Sequence, residues 1–257
     1  MDSNILSPIE IRRYNKQIMI PEIGINGQAK LKQAKVLVVG AGGLGCPVLQ
    51  YLTAAGVGKV GIAEFDTVDE SNLQRQVLYG TTDVGKLKSI IVKDRLEHLN
   101  SLVSFEVFNL RIAASNALTV LKEFDIIVDA TDNLETRYII NDSCVILNKT
   151  MVHGAIYKNE GVVSVFNYNG GPTYRCFNPQ PKKDNYKNPP PAQVGLMGVL
   201  PGITGTYMAN EVVKIITETG EVLSGKVLFF NILNNTFKLI SVNNIPENHN
   251  IRELKKE

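Results

Sequence analysis

The stretch Lys35-Val-Leu-Val-Val-Gly40-Ala41-Gly42-Gly43-Leu44-Gly45-Cys46-Pro47 decides the fold. A continuous apolar run ended by glycine reads as a buried parallel strand. An amphipathic segment then runs to Ala55, and Gly58-Lys-Val-Gly-Ile-Ala-Glu64 reads as a second strand with an acid at its end, nineteen residues after Gly45. Strand, glycine turn, helix, strand and acid in this order form the context of a nucleotide-binding fingerprint. Gly40, Gly42, Gly43 and Gly45 let the backbone approach a phosphate that any Cβ would repel. The following helix start offers free N–H groups, and Glu64 can accept hydrogen bonds from ribose hydroxyls. The plainer alternative is a tight glycine turn with no ligand.

Working outward, Ile9–Ile20 has helical apolar spacing and residues 28–33 read as a short helix leading into the first strand. Downstream, Leu87–Leu99 reads as a helix, Val103–Phe108 as a strand, Ser115–Glu123 as a serine-capped helix and Asp125–Asp129 as a buried strand. The alternation predicts an α/β, Rossmann-like, mostly parallel sheet with helices on both faces. From Thr150 the texture changes. Met151–Tyr157 and Val162–Tyr168 flank the turn Lys158-Asn-Glu-Gly161, and Val227–Ile232 and Thr236–Val242 flank Asn234-Asn235. Two hairpins should therefore continue the sheet with antiparallel strands in the C-terminal half. The polar, proline-rich stretch Asn178–Gln193 is long enough to serve as a lid, Ile203–Thr217 reads as a helix, and Asn243–Glu257 as a loose charged tail. Residues 1–242 are expected to form a single domain divided near 149/150, with 243–257 as its tail.

The run after Glu64, Asp66-Thr-Val-Asp-Glu-Ser-Asn72-Leu-Gln-Arg75-Gln76, is densely polar, and Lys88 follows. Asn72, Arg75, Gln76 and Lys88 together suit a triphosphate better than a hydride carrier; a solvated helix face is the plainer reading. Asp129-Ala-Thr-Asp132-Asn133 ends a buried strand, where open α/β sheets place ligand chemistry. Asp132 could there hold a magnesium ion completed by water and phosphate, unless Asp129 or Asp132 merely caps the next helix.

These residues carry a resemblance. Gly40–Gly45, Ser71-Asn-Leu-Gln-Arg-Gln76, Asp129–Asn133 and Arg13-Tyr-Asn-Lys-Gln17 are similar to the adenylyltransferase family of MoeB, ThiF and the ubiquitin-activating enzymes, over residues 10–242. The resemblance implies that ATP adenylates the C-terminal glycine of a small ubiquitin-fold sulfur carrier of the ThiS or MoaD type, ending in Gly-Gly. Pyrophosphate is released, in thiamine or molybdenum-cofactor biosynthesis. It implies a nucleotide-binding half, 35–149, and a carrier-binding half, 150–242. Arg75, Lys88, Asp132 and Lys16 would be catalytic. Gly40, Gly42, Gly43, Gly45, Glu64, Asp66, Asn72, Arg75, Gln76, Lys88, Asp132 and Asn133 would hold ATP, with Asp132 on Mg2+. Arg75 and Lys16 would reach the neighbouring subunit's phosphates, which requires a homodimer. The chemistry agrees with the lack of an obvious base. A terminal carboxylate is already an anion at neutral pH, so attack on the α-phosphorus needs charge neutralisation and positioning rather than proton removal.

Departures from the family pattern narrow the expectation. Two C-x-x-C pairs are missing, so zinc is not expected. No cysteine stands in the Pro189–Gln193 region, so a covalent step there is not expected. Cys176 reads as a buried inert cysteine rather than a thiol acceptor, and His98, His153 and His249 as structural or surface residues. Lys16 and Glu64 replace the family's arginine and aspartate. The rivals are an enzyme activating a small-molecule or tRNA-borne carboxylate, a nicotinamide-dependent oxidoreductase, and a catalytically silent scaffold.

Composition fits a soluble globular chain: 257 residues, 44% hydrophobic and 20% charged, with 27 basic and 25 acidic residues. A net charge of +2 is far from a nucleic-acid binder's footprint. Three scattered cysteines, a polar amino terminus and no long apolar run point to a cytoplasmic protein without a membrane partner.

Overall fold

The computed structural model describes residues 6–179 and 195–254. Eight strands form one sheet in the order β3-β2-β1-β4-β5-β6-β7-β8: β1 (Lys35–Val39), β2 (Lys59–Ala63), β3 (Ser104–Phe108), β4 (Ile126–Asp129), β5 (Thr150–Tyr157), β6 (Glu160–Phe166), β7 (Lys226–Asn231) and β8 (Thr236–Ser241). Strands β3, β2, β1, β4 and β5 run parallel and β5 to β8 antiparallel. This is the predicted doubly wound sheet with its antiparallel continuation.

Alternation along each strand sorts the core into two layers. Val36, Val38, Val60, Ile62, Ile126, Val128 and Val152 face one side. That side is covered by α3 (Gly24–Gln33), α4 (Gly45–Ala55), α5 (Lys88–Leu99) and α9 (Val199–Thr217). Leu37, Val39, Ile127 and Met151 face the other, against α6 (Ala117–Leu121), α7 (Leu134–Leu147) and α8 (Tyr174–Phe177). No helix among the described residues is long and apolar enough to cross a membrane.

Several elements differ from the sequence reading. Residues 9–20 form two helices, α1 (Pro8–Arg13) and α2 (Asn15–Ile18), not one. Ser7 and Glu10 close a capping box on α1. Tyr14 leaves helical geometry at φ −98°, ψ 11°, because its ring is buried and its hydroxyl accepts from Asn100 Nδ2 at 2.8 Å. Helix α6 is shorter than 115–123, and its N-cap position is Asn116 without a side-chain cap rather than serine. Asn116 Oδ1 instead accepts from the Ala113 N–H at 3.0 Å. Helix α7 was not read from the sequence at all, and α9 begins four residues before Ile203, with Pro201 in its first turn.

The described part of the tail, 243–254, is not loose. Pro246–His249 forms a 3-10 turn, Asn244 Nδ2 donates to the Gly170 carbonyl at 2.9 Å, and the Ile245 N–H and Asn248 Nδ2 both reach Cys176 Sγ at 3.4 Å. Leu254 packs on the second core layer. The 178–193 stretch read as a lid lies, from 180 on, outside the described residues. Strand β8 closes the described sheet with Phe237, Leu239 and Ile240 exposed.

Helix α9 approaches α4 closely because Gly205 has no side chain: a Cβ there would overlap the Leu44 carbonyl and Pro47 Cγ. Gly205→Ala is therefore expected to lower unfolding free energy by about 1–3 kcal/mol, the usual cost of overpacking, measured by urea denaturation.

Candidate active site

The strand order reverses between β1 and β4, and open α/β sheets place their ligand crevice outside the carboxyl ends at such a point. Here the register pairs Val39 with Asp129, so the glycine turn and the Asp129–Asn133 loop are built onto adjacent strand ends. Gly40 has φ +95°, and a Cβ there would stand 2.9 Å from the Ala130 carbonyl oxygen. A Cβ on Gly45 would overlap the Gly40 carbonyl, which keeps the turn tight and the start of α4 open to a ligand.

The polar run folds over this turn. Gln76 is buried with its Nε2 3.6 Å from where a Gly42 Cβ would be, and its Oε1 has no partner. Arg75 lies beside Gly43, its Cγ 3.7 Å from that residue's would-be Cβ, and its guanidinium donates to the Ser71 carbonyl at 2.9 Å. Arg75 thus lines the crevice of its own chain. Asn72 is the third residue of a capped turn, its Oδ1 accepting from the Asp69 N–H at 3.4 Å.

Glu64 is less free than expected. Its carboxylate accepts from the Ala41, Phe65 and Asp66 N–H groups at 2.8, 2.8 and 2.9 Å. It locks the glycine turn to the exit of β2, leaving about one of its four lone-pair positions for a ribose. Lys88 opens α5 almost fully buried, with its Nζ 3.4 Å from Asp66 Oδ2, a carboxylate half exposed to water. Asp66 is the counter-charge to this buried side chain, and an incoming phosphate can take over part of that task.

On β4, neither Asp129 nor Asp132 caps the next helix. Asn133 does, its Oδ1 accepting from the Thr136 N–H at 3.0 Å. Asp132 is exposed at the rim, the setting in which one carboxylate can share a magnesium ion with phosphate and water. Among the described residues no three His, Cys, Asp or Glu side chains cluster as a metal site. Asp129 is wholly buried, accepting from His153 Nδ1 at 2.7 Å and from the Thr131 N–H and hydroxyl at 3.1 and 2.5 Å. Burial pushes its carboxyl up, but the His153 and Thr131 hydrogen bonds and the Arg137 charge bring it below the usual carboxylate range. Burial likewise pushes His153 below an ordinary imidazole, and Asp129 restores only part of the loss.

Lys16 is exposed on α2 and remote from this crevice. The adjacent Gln17 bonds to the Ala55 carbonyl at the far end of α4, and an eleven-residue helix is about 16 Å long. Cys46 and Cys144 are buried, Cys46 with its thiol pushed up to about 12 by burial. Cys176 is partly exposed and engaged with the tail, which corrects the reading of it as a buried cysteine. The sequence reading missed Arg137, whose Nη2 donates to the Thr131 carbonyl at 2.8 Å. Its position one turn into α7 was hidden because α7 itself was not recognised.

Comparison with known proteins agrees with this geometry. The ThiF family profile matches residues 14–251. A "Sulfur carrier protein adenylyltransferase" of Thermus thermophilus is 46% identical over 248 residues, covering 92% of this chain and 89% of that protein. A "Probable molybdopterin-synthase adenylyltransferase" of Porphyra purpurea is 45% identical and covers 91% of this chain but 61% of its own longer one. A crystal structure of E. coli MccB with ATP superposes with a TM-score of 0.81 at 23% identity, covering 95% of this chain and 73% of that one; it shares the fold.

Both Asp129 and His153 bind fewer protons folded than unfolded, so acid must destabilise the protein as pH falls below the ordinary imidazole value of 6.5. His153→Gln, which can still donate to Asp129 but does not titrate, is expected to flatten the stability profile as pH falls from 6.5. Thermal melts across that range check it; an unchanged slope would contradict the assignment.

Proposed function

We propose that this chain, an adenylyltransferase belonging to the ThiF family, uses ATP to activate the C-terminal glycine carboxylate of a ubiquitin-like sulfur carrier of the ThiS or MoaD type, in thiamine or molybdenum-cofactor biosynthesis. The observation that carries the reading is the meeting of three motifs on one rim: the glycine turn, the Ser71–Gln76 run and the Asp129–Asn133 loop. The names of the relatives support the carrier as substrate.

The chemistry asks little of acid–base groups. A carboxylate oxygen bonds to the α-phosphorus as the bond from that phosphorus to the pyrophosphate oxygen breaks; no proton moves. Two anions must be brought together, so the barrier falls mainly through positioning and fixed positive potential. Arg75, Lys88 and the N–H groups at the start of α4 supply that potential, and Asp132 offers an oxygen to the magnesium that accompanies ATP. Gln76, whose buried Oε1 lacks a partner, can accept from the nucleotide.

The working form in this reading is a homodimer. Between α4 and α9 lies an open groove of about 620 Å³ lined by Pro47, Tyr51, Val77, Val199, Ile203 and Tyr207, and Tyr51, Val77 and Val199 are more than half exposed. Apolar patches of this kind mark association surfaces. A two-fold packing of this face, self-complementary as such contacts are, can set the α2 end of one subunit against the glycine turn of the other. Lys16 would then serve the partner's triphosphate.

Two outcomes are expected. Labelled ATP–pyrophosphate exchange should depend on a small carrier ending in Gly-Gly, and Lys88→Ala should slow it roughly 10²-fold or more. Lys16→Ala and Asp132→Ala, each nearly inactive alone, should recover roughly a quarter of wild-type activity when dimers are mixed, because half the dimers then hold one intact site of two. Failure to complement would place Lys16 in its own chain's site or remove it from catalysis.

A further inference from the structure

Most cations near the crevice are paired. Arg111 meets Glu135 at 2.8 Å, Arg175 meets Asp142 at 2.7 Å and Lys88 meets Asp66 at 3.4 Å. Among the described residues, two guanidiniums on this rim bond to a carbonyl and to no carboxylate: Arg75, on the Ser71 oxygen, and Arg137, on the Thr131 oxygen. Arg137 is partly buried, and its Nε is sealed from water without a hydrogen-bond partner. Asp129 is the near carboxylate, but its oxygens are already taken by Thr131 and His153. Arg137 feels the buried Asp129 charge but forms no ion pair with it, a costly state for a partly buried cation, and a planar guanidinium fork is shaped for a carboxylate or phosphate.

We propose that Arg137 receives the carboxylate that is to be adenylated, while Arg75 and Lys88 hold the triphosphate. This rests on the function proposed above, whose reaction joins two anions and therefore needs two centres of positive charge. Arg137 stands in the right place for the second. The Thr131 backbone nitrogen lies 3.7 Å from the would-be Cβ of Gly40 in the glycine turn, so the guanidinium is one peptide from the phosphate cradle. On its other side it adjoins the Tyr174 hydroxyl, beyond the end of β6, in the half of the chain assigned to the carrier. In the reaction Arg137 gains and loses no proton. It binds one carboxylate oxygen and leaves the other to form the new bond to phosphorus as pyrophosphate departs.

The test uses the full chain, α,β-methylene ATP with magnesium, and a ThiS- or MoaD-type carrier ending in Gly-Gly, made once with a free carboxylate and once with a C-terminal carboxamide. Wild-type protein is expected to bind the carboxylate form at least tenfold more tightly. Arg137→Gln should bring that ratio close to one, leave ATP affinity by calorimetry within about twofold, and raise the carrier KM in pyrophosphate exchange; Arg137→Lys should restore part of the preference. Retained discrimination in Arg137→Gln, with a native melt, overturns the proposal. So does a large loss of ATP affinity with discrimination intact, which would make Arg137 a phosphate ligand. If the wild-type chain catalyses no exchange with any carrier, the underlying function fails and the proposal falls with it; exchange by wild type with unchanged discrimination in the variant defeats the proposal alone.

Discussion

The close approach of two strand ends governs the site. Gly40 and Ala130 directly follow β1 and β4, neighbours at the point where the sheet's order reverses, and there is no room between them for even one side-chain carbon. That absence holds the glycine turn against the Asp129–Asn133 loop. Glu64 then ties the turn, through the Ala41 N–H, to the Phe65 and Asp66 N–H groups at the exit of β2, and the Asp129–His153 pair anchors β4 to β5 from within. The crevice is rigid because its walls are made of backbone hydrogen bonds and buried polar pairs rather than of long side chains.

The cations in this frame are held in reserve. Arg75 and Arg137 each lean on a backbone carbonyl, and Lys88 on an acid that water already solvates. Such partners are weak enough to give way to phosphate or carboxylate, yet sufficient to keep each side chain aimed. Preorganised positive potential of this sort needs little rearrangement at the moment of reaction, which suits a displacement in which charge shifts but no proton does.

Local chemistry made the parallel half of the sheet legible in the sequence. Lys35–Val39 and Asp125–Asp129 are unmistakable buried strands, and the glycines between strand and helix have few other uses. Where tertiary contacts decide, the reading ran out. Tyr14 breaks an otherwise regular helical pattern because its ring is drawn into the core. The described tail, 243–254, is held by contacts to Cys176 and Gly170, some seventy residues distant in sequence, which no local pattern reveals. Helix α7 carries many polar residues on its buried side, Thr136, Asn141, Asp142 and Ser143, and this blurs the apolar period on which recognition depends. With α7 went Arg137, and with it the second unpaired guanidinium of the rim. The motif most specific in sequence, Ser71–Gln76, lies against the glycine turn, with Gln76 beside Gly42 and Arg75 beside Gly43.

The last strand of the sheet brings a different kind of obligation. β8 offers Phe237, Leu239 and Ile240 to solvent along an edge that no further described strand covers. Such an edge is a template on which foreign strands can assemble, and Lys238, placed between Phe237 and Leu239, is the sole charge within it. That single ammonium is the charge this border sets against pairing with a foreign strand, so its acetylation would leave the strand wholly uncharged.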